Sequence, residues 1–224
     1  WPTTPTLASN RLSFPVSYWN VEGLVAAFGL ILCLHFSSDP REHPVSRVLC
    51  AAGAPVLAAT LLFTFSRGAI GVTAIGVVIY LLIGRPRLWL SALVAIGPPT
   101  AIALKFCYDA SLLATPDPTT AGGVSQGHRV AVAVAVCALG AALLRALLSL
   151  TVDRVLIRAR LPDGRRRAVM ASVWGVVAVA VIIALVGLRG TIVHEYHGFT
   201  SPAPPGGGSA DLRARLTDPG NDGR

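Results

Sequence analysis

The sequence predicts an all-α fold, a polytopic transmembrane helix bundle, and three observations predict it. Of 224 residues, 53% are hydrophobic and 13% charged, about half the roughly 25% charged share of a soluble domain. Apolar runs approaching the ~20 residues needed to cross a hydrocarbon core recur along the chain. Between these runs the arginines alternate from one side to the other. A mean hydropathy of +0.63 excludes disorder and low complexity. Cys33, Cys50, Cys107 and Cys137 lie in or beside apolar runs without C-x-x-C spacing. They read as small core residues, not as a disulfide or metal framework.

Residues 1–20 are expected to form an extracytoplasmic segment, residues 21–188 the bundle, and residues 189–224 the start of a large extracytoplasmic loop. About six spans are expected, at 21–36, 45–65, 69–84, 88–106, 130–152 and 168–188. The first opens behind Tyr18 and Trp19, residues suited to a membrane interface. The second and third would otherwise join into about forty helical residues, ~60 Å long and twice the membrane core. A tight turn is therefore expected at Ser66-Arg67-Gly68, with Gly68 supplying positive φ and close approach. The fourth contains Pro98-Pro99 and should kink or break near its middle. In the fifth, Val130 to Val136 alternates like a strand, but the run is long and an isolated strand would leave backbone groups unpaired in lipid. The sixth, Ala168 to Leu188, follows Arg165, Arg166 and Arg167. The chain starts at Trp1 without Met and stops in a polar turn, and reads as an internal piece with no signal peptide.

Loops rich in arginine stay cytoplasmic. One side receives Arg41 and Arg47, then Arg85 and Arg87, then Arg154, Arg158, Arg160, Arg165, Arg166 and Arg167. Arg145 is assigned to the same inner end. The other side receives the connection from Tyr108 to Gly127, with Asp109 and Asp117 and no basic residue before Arg129. The positive charge thus serves topology, which argues against nucleic acid as a partner, since a nucleic-acid binder gathers its charge on one soluble face.

Arg11, Arg67, Arg129, Arg189, Arg213, Arg215 and Arg224 remain on the outer side. Arg67 interrupts an otherwise apolar stretch. A guanidinium near a helix start with free amide donors suits an anion such as phosphate, although an arginine at the interface can also simply snorkel. Arg11 opens the stretch Arg11-Leu-Ser-Phe-Pro-Val-Ser-Tyr-Trp-Asn20 just ahead of the first span. The weaker motifs carry little. His194 and His197 stand three apart where a metalloprotease helix needs four, so no metal is expected. Gly206-Gly207-Gly208 lacks phosphate-loop spacing, and His35 and His43 read as interfacial residues.

The stretches Arg11–Asn20 and Leu62-Phe-Thr-Phe-Ser-Arg-Gly-Ala69, in this order, resemble the O-antigen ligase and polymerase family. So do Tyr196-His-Gly-Phe199, a Pro/Gly/Ser linker, Asp211-Leu-Arg-Ala-Arg-Leu216 and Asn221-Asp-Gly-Arg224, which resemble the beginning of that family's large extracytoplasmic loop. The resemblance covers three short stretches in residues and most of the chain in organisation. It implies glycosyl transfer outside the cytoplasm of a bacterial plasma membrane, from a polyprenyl-diphosphate-linked glycan to an acceptor glycan, glycolipid or protein hydroxyl, with no cofactor. By resemblance, Arg11, Arg67 and Arg224 would hold the diphosphate, with Ser66, Tyr18 and Asn20 lining the substrate site. The catalytic base would lie beyond Arg224, so that this piece would not act alone.

A polysaccharide polymerase is the nearest alternative. A transporter of an anion or lipid-linked substrate is a second, with Pro98-Pro99 breaking a helix at its site. A transporter should show an internal repeat and midplane charges, whereas Glu22, Lys105 and Arg145 lie near the ends of their runs. A structural membrane subunit is the third.

Overall fold

A computed structural model describes residues 11–12, 15–84, 88–114 and 119–154. The predicted span at 168–188, the tail from 189, Arg224, and the histidines at 194 and 197 lie outside the described residues. Five α-helices follow one another: α1 Trp19–Ser38, α2 Pro44–Phe63, α3 Arg67–Gly84, α4 Trp89–Asp109 and α5 Ala121–Leu150, with a 3₁₀ turn at Ser111–Ala114 between the last two. Four of them, all but α3, are long and apolar enough to cross a membrane. At 1.5 Å per residue, the 18 residues of α3 reach only about 27 Å.

The packing is inside out relative to a soluble bundle. Buried positions are held by small residues, among them Ala26, Ala27, Ala51, Ala54, Ala92, Ala95, Ala103 and Ala141, while Val25, Phe28, Leu32, Leu49, Val132, Val136, Leu143 and Leu147 face outward. Small residues let helix backbones approach where lipid removes the hydrophobic drive between helices, and large apolar side chains then face the acyl chains. α2 packs against α1, α4 and α5, and α3 lies mainly against α1. The α1–α3 contact is very close at two glycines. A Cβ added at Gly23 would stand 2.7 Å from Ala69 Cβ, and one at Gly76 would stand 2.7 Å from Ile31 Cδ1.

Three sequence expectations need correction. Of the kink or break expected at Pro98-Pro99, the break is absent: both prolines lie inside one continuous helix, and α2 likewise contains Pro55. Each proline removes one amide donor, and a helix continues when packed neighbours cover the freed carbonyls. The connection expected from Tyr108 to Gly127 is largely helical. α5 begins at Ala121, its N-cap Thr120 accepting from Gly123 N at 3.2 Å, and Gln126 Oε1 accepts from Leu112 N at 2.8 Å. Thirty residues span about 45 Å, so the polar first turns of α5 extend past a ~30 Å core.

The third correction concerns the turn between α2 and α3. It falls two residues earlier than expected, at Thr64-Phe65-Ser66, and Phe65 carries the positive φ of 47°. Arg67 and Gly68 already belong to α3, and beyond the helix's own backbone and its chain neighbours no atom of the described residues lies within 4 Å of a Cβ built on Gly68.

Candidate functional site

The turn at Thr64–Ser66 is built by short-range hydrogen bonds. Thr64, fully buried, donates its hydroxyl to Leu61 O at 2.7 Å and accepts from Ser66 N at 3.3 Å. Phe65 N donates to Leu62 O at 2.9 Å. Ser66 then caps α3, its Oγ accepting from Ala69 N at 3.3 Å while its carbonyl accepts from Ile70 N at 3.1 Å. A serine in this role satisfies donors that a helix start leaves open. Arg67 follows as the first residue of α3, exposed at the rim.

α1 meets this turn from the other side. Ser66 Oγ donates to Asn20 Oδ1 at 2.8 Å, and Asn20 Nδ2 donates to Tyr18 Oη at 2.8 Å. Tyr18 and Trp19 hold their rings 4.9 Å apart, tilted by 48°, and the Arg11 guanidinium lies 4.9 Å from the Trp19 ring centroid. Leu12 N donates to Phe63 O at 3.1 Å, fixing the chain beside Arg11 to the end of α2.

Of the residues expected from sequence, the structure therefore joins Tyr18, Asn20 and Ser66 in one hydrogen-bonded chain. It sets Arg11 on Trp19 beside them, and Arg67 directly after Ser66. Sequence reasoning gave no role to Thr64, which shapes the turn, or to Glu22, whose Oε2, like Nε1 of Trp19, is buried without a hydrogen-bond partner among the described residues. The signal for Glu22 was its place, an acid in the first turn of an apolar helix.

At the opposite end of the bundle, Arg47 and Arg145 are not the loop and interface charges that side counting implied. Arg145 is 0% exposed and Arg47 5%, and both pair with Asp153 Oδ2, Arg145 Nη1 at 2.9 Å. Arg145 Nε also donates to Ser37 O at 2.9 Å, and Nη1 to Ser91 Oγ at 3.0 Å. One side chain of α5 thus ties α1, α4 and the residues after its own helix together. His35 is likewise engaged inside the bundle, its Nδ1 within 3.1 Å of Tyr80 Oη, which also lies 3.1 Å from Ser38 Oγ. His43 caps α2, accepting from Val45 N at 3.3 Å. All four cysteines are free thiols. Among the described residues no His, Cys, Asp or Glu side chains gather in a group able to hold a metal ion.

No protein-family model, no curated protein and no solved structure matches the chain.

Proposed function

We propose that the chain belongs to a bacterial plasma-membrane enzyme that transfers a glycan from a polyprenyl diphosphate to an acceptor hydroxyl on the extracytoplasmic face, in the manner of an O-antigen ligase. The observation that carries this reading is the Ser66–Asn20 hydrogen bond, which joins the two separate stretches bearing the resemblance at one rim. Arg11 and Arg67 flank that bond in sequence and bind the diphosphate.

As the bond from the sugar carbon to the phosphate oxygen breaks, negative charge grows on the departing diphosphate. Fixed donors in a poorly hydrated site stabilise that charge better than water does. Guanidinium groups suit the task because their planar fork meets two phosphate oxygens at once. The first turn of α3 adds the positive end of a helix dipole, and the Ser66 cap keeps that turn in place.

The test is a transfer assay on the full-length protein in vesicles supplied with a lipid-linked glycan and a candidate acceptor. Covalent transfer that stops in Arg11→Ala and Arg67→Ala variants supports the reading. Movement of the intact lipid-linked glycan across the bilayer without covalent transfer makes the protein a transporter instead.

A further inference from the structure

Asp153, Arg47 and Arg145 form a cluster that the glycan site does not use. Its members are 1%, 5% and 0% exposed, respectively, and fully buried Ser37 adjoins them, its carbonyl accepting from Arg145 Nε. Two guanidinium groups share one carboxylate oxygen, Asp153 Oδ2, so among the described residues two positive charges are buried against one negative. Polar capacity is also left over: Arg47 Nε, Arg145 Nη2, Ser37 Oγ and Asp153 Oδ1 are buried with no hydrogen-bond partner among the described residues. Burying an unmatched charge costs several kcal/mol unless something neutralises it, and orphaned donors are rare in folded proteins.

The depth of the cluster points to what neutralises it. Arg47 is the fourth residue of α2, Ser37 and Ser38 close α1, and Asp153 follows the end of α5, so the cluster lies at helix ends, where the headgroups of a bilayer begin. Basic pockets between helices at this level take anionic headgroups, and arginine forks match phosphate oxygens.

We propose that Arg47 and Arg145, with the Ser37 hydroxyl, form a binding site for a phosphate group at the end of the bundle opposite Ser66. The phosphate cancels the unmatched charge and accepts from Arg47 Nε, Arg145 Nη2 and Ser37 Oγ. This proposal is independent of the glycan-transfer reading.

The full-length protein, purified in a neutral detergent, is heated with sodium phosphate, with sodium chloride at matched ionic strength, with short-chain phosphatidylglycerol, or with short-chain phosphatidylcholine. A ligand that binds only the folded state raises the unfolding temperature. The expected result is a rise of several degrees with phosphatidylglycerol, absent in Arg47→Gln and retained in Arg47→Lys. A matching rise with sodium phosphate identifies a free-anion site, and a rise with phosphatidylglycerol alone identifies a headgroup site. No rise, an equal rise with chloride or phosphatidylcholine, or a rise undiminished in Arg47→Gln overturns the proposal. If Arg47→Gln does not accumulate, native mass spectrometry of the wild type decides: a retained anionic phospholipid or an added-phosphate adduct supports the site, and the absence of both overturns it.

Discussion

Ser66 donates its hydroxyl hydrogen to Asn20 Oδ1 at 2.8 Å, across 46 positions of sequence. The same oxygen accepts from Ala69 N at the start of α3, so a helix cap and a bridge between α1 and α3 depend on one atom. Ser66→Ala should therefore remove both. Loss of an N-cap costs about 0.5–2 kcal/mol, and a double-mutant cycle with Asn20→Ala should show a coupling of about 0.5–3 kcal/mol. Thermal unfolding in detergent measures both; strictly additive effects would mean that the bridge contributes nothing.

Two glycines separate the observed turn from the one expected. Gly68→Ala places a methyl group in open space on a helix, and replacing a helical glycine by alanine typically gains about 0.5–1 kcal/mol. A glycine held at positive φ would instead lose stability. Gly23→Ala forces a contact at 2.7 Å with Ala69, an overpacking that costs about 1–3 kcal/mol. Opposite shifts in unfolding temperature for the two variants are the expected outcome.

The ion pairs of the bundle should differ sharply in weight. Asp153→Ala leaves two buried guanidinium groups without their carboxylate, a change that costs about 3–5 kcal/mol. Asp109→Ala breaks the Lys105–Asp109 pair, whose side chains are 76% and 57% exposed, and such a surface pair contributes about 0–1 kcal/mol. Comparing the unfolding temperatures of the two variants checks the contrast.

Orientation is open to direct labelling. In a background without the four native cysteines, a cysteine at exposed Gly122 should react with an impermeant thiol reagent from outside the cell. One at exposed Arg41, in the α1–α2 connection, should react only after permeabilisation. The reverse pattern would invert the topology.

The helices were legible because apolar runs of span length admit one solution in lipid, and α1 to α4 begin within two residues of the runs that mark them. α5 began nine residues before its apolar run, because hydropathy records where lipid starts and not where helix starts. The turn was misplaced by about two residues. Glycine is the residue suited to positive φ, but capping by Ser66 pulled Gly68 into α3 and left that conformation to Phe65. Arg47 and Arg145 were read as topological charges because counting by side cannot distinguish an arginine in a loop from one folded back onto Asp153. The joining of Asn20 to Ser66 was accessible only through the resemblance, since nothing in either local stretch specifies the other.

The most direct test is the transfer activity of Arg67→Lys in the full-length protein, with membrane abundance measured in parallel. If the guanidinium fork holds the departing diphosphate, transfer is lost in Arg67→Lys as in Arg67→Ala, while both variants accumulate at the wild-type level. Transfer near the wild-type rate in Arg67→Lys would contradict the bidentate role, and transfer near that rate in Arg67→Ala would remove Arg67 from the site altogether.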